Sequence, residues 1–82
     1  LDALARELEG VGARCRPVAA DLADRAALGE ALAPARLDAL TDGRGVDALV
    51  LNAGVGVLRP LLELTPDEWH RMIDVNVNAL FH

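Results

Sequence analysis

Six residues, Val46 to Leu51 (VDALVL), constrain this chain more than any others. The run is mostly apolar, is the length of a strand, and lies between a turn sequence, TDGRG (Thr41 to Gly45), and the break Asn52-Ala53-Gly54. An apolar run with little alternation suits a parallel strand covered on both faces, because a strand solvated on one face would alternate polar with apolar. A sheet of that kind needs helices on its faces, and the flanking sequence is helical in pattern.

Leu1, Leu4, Ala5 and Leu8 recur at helical spacing up to Glu9, with Gly10 and Gly12 to stop the helix. Arg14 to Ala20 (RCRPVAA) is a second run suited to a strand. Pro17 cannot donate to a ladder, which places that strand at an edge. Asp24 is the expected N-cap of a helix from Arg25, with Ala26, Ala27, Leu28, Ala31 and Leu32 on its apolar side; Pro34 should kink or end it, and Leu37 to Leu40 resume it. Thr65-Pro66-Asp67-Glu68 starts the last helix as a capping box with proline at the first helical position. The order helix, strand, helix, strand, helix implies an α/β fold: part of a doubly wound, parallel Rossmann-type sheet with right-handed crossovers.

Composition narrows the function. At 52% hydrophobic the 82 residues can form packed layers. The net charge of −5 and the scattered arginines argue against a nucleic-acid surface. No apolar run approaches the ~20 residues of a membrane span, and one cysteine, Cys15, cannot form an internal disulfide, so a cytoplasmic setting is the expectation. His70 and His82 lack partners at ligand spacing, so no metal site is expected. The chain starts and stops in helical rhythm, and is read as a single domain over residues 1–82 truncated at both ends.

In doubly wound sheets ligands bind outside the carboxyl ends of the strands. Asp21 stands just past the first strand, and Asn52, Gly54 and Gly56 just past the second. Alone, each reads as a cap or a turn. The last helix adds WHRMIDVNVNALF, in which Trp69, Met72, Ile73, Val77 and Leu80 form an apolar stripe and Asn76 falls inside it, only roughly 20° from the direction of Trp69 at ~100° per residue. An unpaired buried carboxamide would cost about 1–3 kcal/mol, so Asn76 needs partners.

Taken together, DLAD, then VDALVLNAG, then LTPDEWHRMIDVNVNALF resemble the short-chain dehydrogenase/reductase family, from about Arg16 to the last residue. The resemblance implies an NAD(P)-binding Rossmann domain. It also implies an oxidoreductase that moves hydride between the nicotinamide of NAD or NADP and a small-molecule carbonyl or alcohol, in a parent protein that is a homo-oligomer. Asp21 would accept from the adenine amino group, with the Leu22 backbone beside it. Asn52, Ala53 and Gly54 would line the cofactor near the adenosine ribose, with the Asn52 side chain bracing neighbouring strands. Asn76 would be the asparagine of the Asn-Ser-Tyr-Lys tetrad, linked through water to the lysine, and this would explain a polar group in the stripe. Trp69 and Phe81 could then meet a second subunit. Ala79 stands where the family usually has glycine. The chain has no Tyr, Lys or Ser at all, so these 82 residues alone are expected to be inactive. They are also expected not to fold in isolation, since their two strands would be the third and fourth in the order 3-2-1-4-5-6 and would not touch. A non-catalytic dinucleotide-binding or scaffold protein, or an epimerase or dehydratase of the same superfamily, are the alternatives.

Overall fold

A computed structural model describes residues 1–82. Two of the helices start at side-chain caps, Asp24 and Thr65. Helix α1 spans Asp2–Gly10, and Gly12 beyond it takes φ +86, the left-handed region that glycine enters without a Cβ penalty. Helix α2 (Arg25–Ala31) begins at Asp24, whose Oδ1 accepts from the backbone N–H groups of Ala26 and Ala27, both at 3.0 Å. Pro34 does more than interrupt: it sits at the first turn of a new helix, α3 (Pro34–Thr41), where its missing N–H costs nothing. Asp42 closes α3 in the left-handed conformation with φ 54, opening the expected turn.

Helix α4 (Pro66–Ile73) carries the complete capping box. Glu68 N–H donates to Thr65 Oγ1 at 3.2 Å, and Thr65 N–H donates back to Glu68 Oε2 at 2.9 Å. A short 3-10 turn, Leu61–Glu63, precedes it. After Ile73 the helix widens into a π turn, Asp74–Asn78, before a last α-helical turn, α5 (Ala79–Phe81). Single π turns of this kind insert one extra residue into a helix.

The two expected strands do not form as such. Residues 14–20 and 46–59 make no backbone–backbone hydrogen bond, so neither belongs to a ladder. No other segment of the 82 residues pairs with either run, so each extended stretch is left without a strand partner. The same lack of cover leaves Leu49 74% and Val50 83% exposed. Only Ala5, Leu28, Ala31 and Val75 are buried, and the molecule is extended, 48 × 27 × 19 Å.

One staple replaces ladder bonds at the first segment. Arg14 and Arg16 both reach the Asp42 carboxylate, at 2.7 and 2.8 Å, and Arg16 also donates to the Leu40 carbonyl at 3.1 Å. Residues 14–16 are thereby tied to the carboxyl end of α3, and the two guanidiniums hold the Asp42 carboxyl below the usual range.

The expected apolar stripe on the last helix is also corrected. Trp69, Val77 and Leu80 remain 49%, 54% and 46% exposed, and the buried residue is Val75. The π turn accounts for part of this: one inserted residue rotates everything beyond it by about 100°, so a stripe extrapolated through Asp74–Asn78 does not continue on one face.

Candidate active site

The turn after the first segment is organised by Asp21. Its Oδ1 accepts from the Ala23 N–H at 3.0 Å, an Asx turn that fixes the carboxylate four residues ahead of α2. Its Oδ2 faces the Arg71 guanidinium of α4 at 3.5 Å. The backbone donation from Ala23, supported by Arg71, lowers the Asp21 carboxyl from its ordinary value.

The tip after the second segment is organised by Asn76. Its Oδ1 accepts from the Val55 N–H at 2.8 Å, and its Nδ2 donates to the Val55 carbonyl at 2.8 Å. A carboxamide carries one acceptor and two donors in a fixed plane, so it matches both polar groups of one residue as a second strand would. The side chain is exposed rather than buried in a stripe, and its partner is the backbone of the second tip. Gly54 lies beside it: a Cβ there would meet Asn76 Oδ1 at 3.5 Å, an ordinary contact, so the clamp itself does not demand glycine. Within the π turn, Asn78 Nδ2 donates to Asp74 Oδ1 at 2.7 Å.

Helix α4 and its extension thus hold both tips, Arg71 at Asp21 and Asn76 at Val55. Between them lies an open hollow of about 210 Å3 lined by Ala20, Asp21, Leu22, Ala53, Gly54, Val55, Arg71 and Val75. Four of the residues singled out from sequence, Asp21, Leu22, Ala53 and Gly54, line it together, and Asn76 meets it through Val55. Asn52 does not. It borders a neighbouring apolar hollow with Leu22, Leu28 and Val50, and its side chain makes no hydrogen bond.

Two contributors were missed from sequence. Val55 gives no side-chain signal; only its place directly after Asn52-Ala53-Gly54 marks it. By sequence Arg71 stands at helix-pair spacing from Asp67, Glu68 and Asp74, the pattern of a solvated charged face. Instead Arg71 pairs with Asp21, and Glu68 with Arg59 at 3.2 Å, so these partners come from other segments.

With this geometry in place, the comparisons decide the family. The model described as short chain dehydrogenase matches residues 1–82, the whole chain. The chain belongs to the short-chain dehydrogenase family. Among relatives of this short-chain dehydrogenase segment, the polyketide synthase GfsA of Streptomyces halstedii is 40% identical over 82 residues, 99% of this chain and 1% of that protein. The oxidoreductase UcpA of Escherichia coli (strain K12) is 37% identical over 82 residues, all of this chain and 30% of its own length. Human L-xylulose reductase is 38% identical over 80 residues, 98% of this chain and 28% of its own. The segment therefore spans under a third of each of these relatives. No solved structure matches it significantly. Membership implies a Rossmann-like α/β fold, and two of these relatives are named as an oxidoreductase and a reductase.

Proposed function

We propose that these residues form one part of a single NAD(P)-binding Rossmann domain in an oxidoreductase that moves hydride between NAD or NADP and a small-molecule carbonyl or alcohol. The observation that carries the reading is the shared hollow: the Asp21 turn and the Ala53–Val55 tip face each other across it, both held by the last helix. The hollow suits a flat heteroaromatic base. Its floor is small and apolar at Ala53, Gly54 and Val75, and one ionised oxygen at its rim, Asp21 Oδ2, lacks a close donor. A dinucleotide, when bound, supplies the hydride donor or acceptor.

The chain's own residues do the rest. Asp21 accepts from the adenine amino group, with the Leu22 backbone alongside. Ala53 and Gly54 present backbone against the ribose, and Asn52 is carried with them in the same tip. Asn76 fixes the distance between the last helix and that tip, and in the assembled enzyme it belongs to the proton relay. Asn76 is here the residue of the reaction; the acid/base tyrosine and its lysine are not among these residues. Homo-oligomerisation through Trp69 and Phe81, 49% and 87% exposed, and a cytoplasmic setting complete the reading.

The test is paired kinetics in the full-length protein. Asn76→Ala should lower kcat sharply with little change in cofactor affinity, whereas Asp21→Ala should raise the cofactor Kd and leave kcat at saturation largely intact. If both variants change the same constant, the division of roles fails. If Asp21→Ala leaves the Kd unaltered, the adenine assignment fails.

A further inference from the structure

The two oxygens of Asp21 are not equivalent. Oδ1 is committed to the Ala23 N–H at 3.0 Å, while Oδ2 has only Arg71 Nη1, at 3.5 Å. Arg71 in turn makes no other hydrogen bond or ion pair, and its side chain is 57% exposed at the rim of the hollow. A rigid acceptor and a rigid-headed donor therefore stand side by side over a small apolar floor, with most of the guanidinium's five N–H groups uncommitted. The contact is long enough for a base edge to engage both partners in place of it.

That pattern has a complement among the purines. Adenine presents a donor, the N6 amino group, next to an acceptor, N7; a 6-oxo purine presents two adjacent acceptors, O6 and N7. Resting on the dinucleotide reading above, we propose that Asp21 and Arg71 read the adenine edge as a unit, Asp21 Oδ2 accepting from N6 and an Arg71 N–H donating to N7. Arg71 then selects the base as well as balancing Asp21 charge. Its reach is set by helix register: it lies five residues before Asn76, whose two bonds to Val55 anchor the same helix across the hollow. With a 6-oxo base, O6 would face the ionised carboxylate and be repelled.

The test uses calorimetry on the full-length protein with three probes: ADP, 7-deaza-ADP (which lacks N7) and IDP (the 6-oxo analogue). Wild type should bind 7-deaza-ADP roughly tenfold more weakly than ADP, as expected for one charge-assisted hydrogen bond at an exposed site. Arg71→Met should lose roughly the same factor for ADP and no longer distinguish ADP from 7-deaza-ADP. Asp21→Ala should lose the preference for ADP over IDP. Equal binding of ADP and 7-deaza-ADP by wild type overturns the role of Arg71, while continued weakening by Asp21→Ala leaves the dinucleotide reading standing. No binding of any adenine nucleotide overturns that reading, and this inference with it.

Discussion

The clamp between Asn76 and Val55 makes the sharpest quantitative prediction. It consists of two neutral amide hydrogen bonds of 2.8 Å, formed by a side chain that water can reach. Such bonds contribute about 0.5–1.5 kcal/mol each, and in an exposed setting the freed groups are rehydrated, so Asn76→Ala should cost about 1–2 kcal/mol. Asn76→Asp is the more telling change. It keeps the oxygen that accepts from the Val55 N–H but places a second carboxylate oxygen, in place of Nδ2, against the Val55 carbonyl. At neutral pH that contact is repulsive; protonation restores a donor. The new carboxyl therefore has a folded pKa above its unfolded one. Relative stability is then highest below the unfolded value and falls as pH rises through the folded one. Denaturant unfolding of the full-length protein between pH 4 and 8, with hydrogen exchange at the Val55 amide, measures both effects. A loss for Asn76→Asp that does not vary with pH, or Val55 exchange unchanged in both variants, refutes the clamp.

Three further outcomes follow from the same geometry. Asp24→Ala should destabilise the full-length protein by about 1 kcal/mol, and Asp24→Asn by much less, since only the side-chain acceptor caps α2; equal losses by thermal unfolding would exclude the cap. The Thr65 backbone and hydroxyl, with Arg59 nearby, depress the Glu68 carboxyl, so its capping contribution is present above the ordinary glutamate range and is lost as pH falls through the folded value. Hydrogen-exchange protection across the first turn of α4, taken relative to the intrinsic exchange rate at each pH, should fall in acid for wild type and show no such pH step in Glu68→Gln. The 82 residues expressed alone should bind a hydrophobic dye and melt without a cooperative transition, given how much of Leu49, Val50, Leu58 and Leu62 is exposed; dispersed amide signals and a sharp melt would contradict this.

Much of the local structure was legible because it depends on neighbours in sequence. Asp24, Thr65 and Glu68 cap helices through bonds spanning at most a few residues, so their types and spacing suffice, whereas Pro34 starts α3 three residues before the resumption its neighbours suggest. The ladders are not realised at Arg14–Ala20 and Val46–Leu51, because pairing needs a partner strand and apolar character alone cannot supply one. At the site, Asp21 and Gly54 could be picked out by their place past apolar runs. Val55 could not, since it acts through backbone that any residue carries. Arg71 was hidden for another reason: helix-pair spacing with Asp67 and Asp74 offered nearby partners, and the three-dimensional path of the chain brought Asp21 instead. The π turn is equally silent in the sequence, and it redirects the stripe in which regular helical spacing places Asn76.

The most direct measurement is a crystal structure of the full-length protein with its preferred nicotinamide dinucleotide. The adenine amino group should lie within hydrogen-bonding distance of the Asp21 carboxylate, with the ribose against Ala53 and Gly54 and both Asn76–Val55 bonds intact. A dinucleotide seated away from this hollow, or Asp21 and Asn76 opening onto separate surfaces of the complete domain, would contradict the account.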